Sequence, residues 1–375
     1  MVRAPNWVGD AVMALPALRE LRRIFSDAQI TLVARPWVAG LFEGEGLADN
    51  LIPVHDGKGF LQKTRNAFDE ARQLKRERFD LAVLFQNAFG AALTARVAGA
   101  KRIAGYATDR RGALLDLVVP FEPNYKTAHQ VRYYLNIAAA LERAFTGEAR
   151  VNFEATPRLQ ANDELRSRGR LILEKALRAS DAATAQPGDR ENKPLAASAR
   201  RPVSSSPITS SPILVLSPGA TNSRAKRWLP ERFASTADRL AERKGLQTVI
   251  VGTAGDVEPA NEVASRMRSS AVVLAGRTSI AELKAVLACT SLVISNDTGT
   301  AHVSAALGVP TVVVFGPTEH FATRPLSSTA MVVRHDVECS PCMLRDCPID
   351  HRCMTRVEVD DVYSASQGLL ISTAQ

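Results

Sequence analysis

Ile294-Ser295-Asn296-Asp297-Thr298-Gly299-Thr300-Ala301-His302 stands between an apolar run and a segment with helical periodicity. The apolar run predicts a strand at 292–294, and the periodicity predicts a helix at 299–307. The segments on either side repeat this order, with further strands predicted at 213–216, 247–251, 271–274 and 311–315 and further helices at 231–243, 258–267 and 280–288. Strands that alternate with helices predict a parallel sheet covered by helices on both faces.

The first half of the chain shows a similar alternation. Strands are predicted at 29–34 and 81–85, and helices at 60–77, 128–143 and 162–179. We expect Asn87 to cap the helix that follows it, and Ser279 with Glu282 to form a capping box. The fold class is therefore predicted to be α/β, with two Rossmann-like doubly wound domains that face each other across a cleft.

Residues 180–212 separate the two halves and differ from both in composition. They contain seven serines and five prolines but no aromatic residue. Such a segment buries too little apolar surface to offset its ordering entropy. We therefore predict an N-terminal domain at 1–179, a disordered linker at 180–212, a second domain at 213–355, and a C-terminal helix at 356–375 that could pack back on the first domain.

The first predicted strand is short of apolar residues. The chain opens Met1-Val2-Arg3-Ala4-Pro5, and a first parallel strand needs more apolar residues before Arg3. Two hypotheses follow: the natural start lies upstream, or the first strand is truncated.

The overall composition excludes several classes of protein. The hydrophobic fraction is 46%, and the longest apolar runs are strand-sized, well below the roughly 20 residues of a membrane span. Asp10 interrupts the N-terminal apolar stretch, which argues against a signal peptide. The net charge of +8 suits an anionic partner, but no Lys/Arg block marks a nucleic-acid binder. We expect a cytoplasmic protein that does not bind nucleic acid.

The joint at 294–302 is the first candidate site. A helix N-terminus that follows a strand attracts phosphate through its free N–H groups and its dipole. Thr298 adds a hydroxyl donor, Gly299 permits close approach of a ligand, and His302 could donate to a phosphate oxygen. Asp297 would cap the helix or orient the loop. The alternative is an ordinary strand–turn–helix joint with no ligand.

Two further loops follow predicted strands. Ser217-Pro218-Gly219-Ala220-Thr221-Asn222-Ser223 precedes Lys226, so that Thr221, Asn222, Ser223 and Lys226 form a plausible diphosphate cradle. Asn6-Trp7-Val8-Gly9-Asp10 lies in the other half, where Asp10 is a candidate general base. A solvated basic loop and a helix-capping carboxylate are the respective alternatives.

Several motifs are missing. No Asp-x-Asp triplet is present to hold Mg²⁺ or Mn²⁺ on a diphosphate, and neither half opens with a dinucleotide-type G-x-G-x-x-G. The P-loop motif and the G-x-S-x-G motif of hydrolases are absent too. These absences disfavour an NAD enzyme, a P-loop NTPase and a hydrolase.

Four of the five cysteines cluster as Cys339-x2-Cys342-x4-Cys347-x5-Cys353. Four thiolates can hold a structural Zn²⁺ in a reducing compartment, although these spacings fit less well than paired C-x2-C knuckles. Reduced thiols or a local disulfide are the alternatives. Cys289 stands alone in an apolar helix and is expected in the core.

Together, the three loops resemble the lipopolysaccharide heptosyltransferases of glycosyltransferase family nine. The resemblance rests on 6–10, on Pro218-Gly219-Ala220 with Ala225-Lys226-Arg227-Trp228, and on 296–299 with His302. It covers both halves in order and leaves out the linker. The form Trp7-Val8-Gly9-Asp10 is more similar to the heptosyltransferase II branch than to the heptosyltransferase I branch.

The resemblance implies a GT-B fold and inverting, metal-independent transfer of heptose from ADP-L-glycero-D-manno-heptose. The implied acceptor is heptosyl-Kdo-lipid A in lipopolysaccharide biosynthesis, at the inner face of the cytoplasmic membrane, with no cofactor. The donor-binding positions carried over are Thr221, Asn222, Ser223, Lys226, Asp297, Thr298, Gly299 and His302. Asp10 is carried over as the catalytic base, and Lys226 as the group that stabilises the leaving diphosphate.

Other assignments are less direct. We assign acceptor binding to Asn6, Trp7, Arg110 and Arg111, with Lys101 and Arg102 as further basic candidates for acceptor phosphates or carboxylates. Asp256 is a guess for the ribose or adenine. Alternatives to heptosyltransferase II are heptosyltransferase I or III, another nucleotide-sugar enzyme such as an epimerase, and a non-catalytic binding protein for a nucleotide sugar or lipopolysaccharide.

Overall fold

The computed structural model describes residues 1–55, 60–185, 211–221 and 223–372. It contains two six-stranded parallel sheets with helices on their faces. The strand orders are β3-β2-β1-β4-β5-β6 and β12-β11-β10-β7-β8-β9. Both are the doubly wound order 3-2-1-4-5-6, counted within each sheet. The predicted α/β class and the predicted pair of Rossmann-like units are confirmed.

The first sheet is formed by β1 to β6, which span Val2–Arg3, Thr31–Ala34, Asn50–Pro53, Leu81–Leu84, Arg102–Gly105 and Leu117–Val118. Its helices are α1 to α6, which span Val8–Met13, Leu15–Ile24, Pro36–Ala39, Phe60–Lys75, Phe89–Val97 and Gln130–Thr146. Strand β1 has only two residues, yet it pairs with both β2 and β4 at the centre of the sheet. Asn87 does not cap α5, because its side-chain oxygen accepts from Arg111.

The second sheet is formed by β7 to β12, which span Ile213–Ser217, Gln247–Ile250, Ala271–Val273, Leu292–Asn296, Thr311–Val314 and Ala330–Val333. Helices α7 to α14 span Asp163–Ala185, Pro230–Lys244, Val257–Arg266, Ile280–Leu287, Gly299–Ala306, His320–Thr323, Arg352–Thr355 and Val359–Ser372. The predicted capping box of Ser279 and Glu282 begins α10. Strands β7, β10 and β11 are buried throughout, as continuous apolar runs in a two-sided parallel sheet should be.

The structure corrects the predicted domain boundaries at α7. This helix was assigned to the first domain, but it packs against α10 of the second. A Cβ on Gly169 would lie 2.0 Å from the Ala285 carbonyl oxygen, so the missing side chain permits this close packing. Helix α7 also continues to Ala185, so the predicted linker does not begin at 180. The rest of that prediction, from 186 to 210, lies outside the described residues.

The C-terminal helix α14 also belongs to the second unit. It packs on α8, β11 and β12, so the suggested return to the first domain is not observed. Val362, Tyr363 and Leu369 on this helix are buried in the apolar core of the second sheet. The apolar face of α14 is therefore already covered within its own unit.

The two units are joined by buried polar contacts. The Lys284 ammonium on α10 lies 2.6 Å from the Glu45 carboxylate and donates to the carbonyls of Leu41 and Glu43 in the first unit. Both side chains of this pair are almost fully buried. Across the cleft, His129 Nε2 lies 2.8 Å from the Arg324 carbonyl oxygen. Helix α1, which follows β1, packs on α11, which follows β10, so the carboxyl ends of both sheets face the same cleft.

Candidate active site

Helices α1 and α11 meet at the centre of the cleft, and two glycines make the contact close. A Cβ on Gly299 would lie 2.7 Å from the Val8 Cβ, and one on Gly9 would lie 3.1 Å from the His302 ring. We predicted that Gly299 lets a ligand approach the backbone closely. The structure places it against the other unit instead, so this glycine fixes the distance between the first and third predicted loops.

Asp10 lies in the first turn of α1, as predicted, and is half-buried. Its Oδ1 accepts a hydrogen bond from the Tyr134 hydroxyl at 3.1 Å. Burial raises the pKa of the Asp10 carboxyl, while the Tyr134 hydroxyl and the charge of Lys226 act in the opposite direction. Tyr134 comes from α6, 124 residues away along the chain, and was not predicted.

Lys226 and Asp297 come together from the second and third predicted loops. The Lys226 ammonium lies 2.7 Å from the Asp297 carboxylate, which also accepts from the Thr318 hydroxyl at 2.8 Å. Asp297 therefore orients Lys226 and does not cap α11, whose N-cap residue is Thr298. The Lys226 side chain is 26% exposed, so its ammonium retains donors for a ligand.

Asn296 fixes the distance between the loop that follows β7, which carries Lys226, and the loop that follows β10. Its amide nitrogen donates to the Pro218 carbonyl at 2.7 Å, and its oxygen accepts from the Trp228 backbone at 3.0 Å. The residue is fully buried, so its role is structural. Nearby, the hydroxyls of Thr298 and Ser295 lie 3.0 Å apart, which directs Thr298 toward the loop.

His302 is in the first turn of α11 and is only 5% exposed. Burial lowers the pKa of its imidazole to about 4, so the ring is neutral near pH 7. It packs against the backbone of Gly9 in the first unit. This packing gives His302 a structural role at the cleft in addition to the predicted contact with phosphate.

The rest of the predicted cradle follows β7. Lys226 ends a short turn of 3₁₀ helix, Arg224–Lys226. Thr221 is exposed beside this turn, and Asn222 lies outside the described residues. The Ser223 hydroxyl lies 3.5 Å from the carbonyl oxygens of Leu344 and Arg345, in the segment that follows Cys342.

The cysteine segment, residues 339–353, supports the turn that carries Lys226. The Ala225 amide donates to the Arg345 carbonyl at 2.9 Å, and His351 Nε2 lies 2.6 Å from the Ala225 carbonyl oxygen. An ion pair joins Arg224 to Asp346 at 2.7 Å. This segment is therefore a structural support for the donor side of the cleft.

The four thiols of that segment were considered as a possible zinc site, and that hypothesis stays a prediction. Among the described residues, no three His, Cys, Asp or Glu side chains are grouped so that they could hold a metal ion. The thiols are free, and Cys342 is exposed whereas Cys353 is buried. Burial and, after it, the nearby Cys339, Cys342 and Cys347 together raise the pKa of the Cys353 thiol to about 11. Cys289 is half-buried beside α7 rather than fully in the core.

Three of the four predicted acceptor cations are buried or lie away from the cleft. Arg111 is fully buried and donates to the Tyr106 carbonyl and the Asn87 side chain, so it cannot reach a soluble anion. Lys101 and Arg102 lie at the amino end of β5, away from the carboxyl ends that line the cleft. Arg110 is exposed and remains a candidate.

Asn6 and Trp7 lie beside Asp10 at the cleft. Trp7 is the N-cap residue of α1 and is 57% exposed. The Asn6 carbonyl accepts from the indole nitrogen of Trp37 at 2.8 Å. Asp256, the guessed ribose contact, caps the turn Ala254–Asp256 and is 5% exposed.

The arrangement places a carboxylate and an ammonium on opposite walls of one cleft. Asp10 belongs to the first unit and Lys226 to the second; burial raises the pKa of Asp10, and the charge of Lys226 acts against that rise. A base that faces a cationic phosphate cradle suits the transfer of a group from a diphosphate leaving group to a hydroxyl.

Comparison with known proteins identifies the family. The model of glycosyltransferase family 9 (heptosyltransferase) matches residues 68–352. The chain is 26% identical to lipooligosaccharide heptosyltransferase 2 of Campylobacter jejuni, over 98% of this chain and 97% of that protein. It is 27% identical to lipopolysaccharide heptosyltransferase 2 of Escherichia coli, over 89% of this chain and 87% of that protein.

A solved structure shares the architecture. The structure of E. coli ADP-heptose lipopolysaccharide heptosyltransferase II superimposes with a TM-score of 0.75 at 23% identity, over 100% of this chain and 99% of that one. None of the helices in the described ranges is both long and apolar enough to span a bilayer. With its two facing Rossmann-like units, the chain is a GT-B glycosyltransferase and belongs to glycosyltransferase family 9 (heptosyltransferase).

Proposed function

We propose that this protein transfers heptose from ADP-L-glycero-D-manno-heptose to heptosyl-Kdo-lipid A, in a metal-independent reaction that inverts the anomeric centre. The observation that carries the proposal is the contact of α1 with α11 through Gly9 and Gly299, which brings the helix of Asp10 against the loop where Asp297 holds Lys226. The relatives named heptosyltransferase 2 favour this acceptor over those of heptosyltransferases I and III. An epimerase would need further acid/base carboxylates and histidines in the cleft and no sugar acceptor, whereas a pure binding protein would need no base at all.

The donor diphosphate would lie between Lys226 and the N-terminus of α11. The Lys226 ammonium keeps donors available beyond its ion pair with Asp297. The free N–H groups after Thr298 face the same side of the sheet, since both loops follow adjacent strands. These groups stabilise the charge that develops on the departing ADP, which is the role a metal ion would otherwise have.

Asp10 would remove the proton from the acceptor hydroxyl as that oxygen attacks the anomeric carbon. The bond from the anomeric carbon to the diphosphate oxygen breaks on the opposite face, so a single displacement inverts the centre. Burial brings the pKa of Asp10 closer to neutral pH, which improves a carboxylate as a base. Such a base contributes roughly 10²–10⁴ to the rate.

The acceptor would enter from the first unit, where Asn6, Trp7 and Arg110 are accessible. A lipid-linked acceptor places the enzyme at the inner face of the cytoplasmic membrane, as a peripheral protein. The net charge of +8 favours approach to an acidic surface.

The test is transfer from ADP-heptose to two defined acceptors, Kdo-lipid A and heptosyl-Kdo-lipid A, with Asp10→Asn as the isosteric variant. We expect extension of the heptosylated acceptor, loss of about 10²–10⁴ in kcat for Asp10→Asn, and unchanged affinity for ADP. Activity should persist in EDTA, and NMR of the product should show the inverted anomer.

Other outcomes would change the assignment. Extension of Kdo-lipid A alone would indicate heptosyltransferase I activity. A changed sugar nucleotide without acceptor would indicate an epimerase. Near-wild-type turnover of Asp10→Asn would remove Asp10 from the mechanism.

A further inference from the structure

Two of the three tryptophans in this chain are exposed to solvent. Trp7 is 57% exposed and Trp37 is 51% exposed, whereas Trp228 is 1% exposed and donates its indole N–H to the Val357 carbonyl. An indole left in water keeps a large apolar area unburied, which binding of a partner would cover. A pair of such side chains in one place suggests a binding surface.

Both exposed tryptophans lie beside the candidate base. Trp7 is the N-cap residue of α1 and precedes Asp10 by three residues, so both belong to the start of that helix. Trp37 is in α3, which follows β2, the neighbour of β1 in the sheet. The hydrogen bond from Trp37 Nε1 to the Asn6 carbonyl, at 2.8 Å, ties Trp37 to the loop that carries Trp7.

That hydrogen bond also indicates how Trp37 would contact a partner. The polar edge of its ring is satisfied inside the protein, so the exposed part of the side chain is apolar ring. A tryptophan at a bilayer interface usually turns its N–H toward water and head groups. A ring held by its N–H edge is better suited to stack on the apolar C–H face of a sugar.

We propose that Trp7 and Trp37 form a stacking platform for the acceptor sugar, which presents its hydroxyl to Asp10. This inference rests on the proposed function, because it assigns the acceptor subsite of the same cleft. Trp37 is a binding residue in this assignment, and its bond to Asn6 also positions the loop before α1. The ligand class is a pyranose of the acceptor glycan, and the lipid chains are not part of the recognition.

The direct test uses tryptophan fluorescence and a deacylated core oligosaccharide that ends in heptose. Trp7→Phe leaves Trp37 as the exposed emitter, and Trp37→Phe leaves Trp7. The oligosaccharide should reduce acrylamide quenching in both variants, while ADP alone should not. Vesicles of anionic phospholipid without the glycan are the comparison probe. A blue shift with vesicles and none with the oligosaccharide would assign the pair to the bilayer and overturn the proposal.

Kinetics provide a second readout. Trp37→Ala should raise the acceptor KM about three- to tenfold, as expected for loss of one aromatic stack, and leave the ADP-heptose KM unchanged. Trp37→Phe keeps a ring but loses the bond to Asn6, so it should lie between wild type and Trp37→Ala. Phe68→Ala is the matched control, because Phe68 is 70% exposed on α4 and should not affect either KM.

These experiments distinguish failure of the tryptophan platform from failure of the proposed function. If wild type transfers heptose but neither KM nor quenching responds at Trp37, the platform is refuted and the proposed function stands. If wild type transfers no heptose to any acceptor, the proposed function fails, and the fluorescence still reports whether the pair binds a sugar.

Discussion

Tyr134 offers the sharpest test of how the fold prepares Asp10. Its hydroxyl donates to Asp10 Oδ1 at 3.1 Å, from a side chain that is 3% exposed. This hydrogen bond favours the ionised carboxylate and opposes burial, which favours the protonated form. Tyr134→Phe removes the donor and keeps the ring that packs against Phe85.

The expected magnitude follows from the geometry of the bond. Hydrogen bonds to charged groups contribute about 1.5–3 kcal/mol, and a 3.1 Å bond to a half-buried carboxylate belongs at the low end. About 1.5 kcal/mol corresponds to about tenfold in the ratio of ionised to protonated Asp10. The pKa of Asp10 should therefore rise in Tyr134→Phe. The acid limb of kcat/KM should move to higher pH, with about tenfold less activity on that limb.

The assay is kcat/KM for heptose transfer across pH, with Tyr133→Phe as the control. Tyr133 is the adjacent residue, and its hydroxyl contacts the Asn87 amide nitrogen instead of Asp10. Tyr133→Phe should leave the acid limb in place. If Tyr134→Phe lowers activity equally at all pH values, the hydroxyl does not act through the ionisation of Asp10. If the acid limb is unmoved, either Asp10 is not the titrating base or the bond is absent in the substrate complex.

Two further predictions concern the contact between the units. Gly299→Ala should lower the free energy of unfolding by about 1–3 kcal/mol, because its Cβ would lie 2.7 Å from the Val8 Cβ. The control is Gly368→Ala, which has no atom near its added Cβ and should be neutral or stabilising by up to about 1 kcal/mol. Equal midpoints of urea unfolding for the two variants would contradict the close packing. The pKa of His302 is about 4 in the folded protein and 6.5 in the unfolded chain, so protons bind the unfolded chain first as the pH falls. The contribution of His302 to stability is therefore complete above pH 6.5 and is lost as the pH falls toward 4, by about 3 kcal/mol at most. His302→Gln should flatten that part of the stability profile, and an unchanged slope between pH 6.5 and 4 would show that the ring is not buried in the neutral form.

The three loops at the candidate site could be predicted because each is local. A strand, a turn of small and polar residues and a helix lie within ten or so residues, so their positions at strand ends can be inferred from the sequence. The partners of those loops could not be predicted in this way. Tyr134 reaches Asp10 from 124 residues away, and Thr318 and the cysteine segment reach the donor loops from later elements.

The difference between local patterns and long-range contacts also explains the wrong predictions for Arg111 and α7. Arg111 and Arg110 are adjacent and both basic, yet only the tertiary fold determines that Arg111 is buried in a set of backbone acceptors while Arg110 is exposed. Helix α7 has an ordinary amphipathic pattern, and only its packing on α10, with Gly169 against Ala285, assigns it to the second unit. A periodic pattern shows which face of a helix is apolar, but it does not show which surface will cover it.

The sequence by itself determined two α/β units and the order of most strands and helices, because hydrophobic periodicity is a local property. It also located Asp10, Lys226 and the 296–302 joint at strand ends, which are local features too. The tertiary structure alone decided that α1 and α11 touch through Gly9 and Gly299, that Asp297 orients Lys226, and that two exposed tryptophans flank Asp10. These are distances between residues far apart in the chain, and they are set by how two separately wound sheets pack against each other.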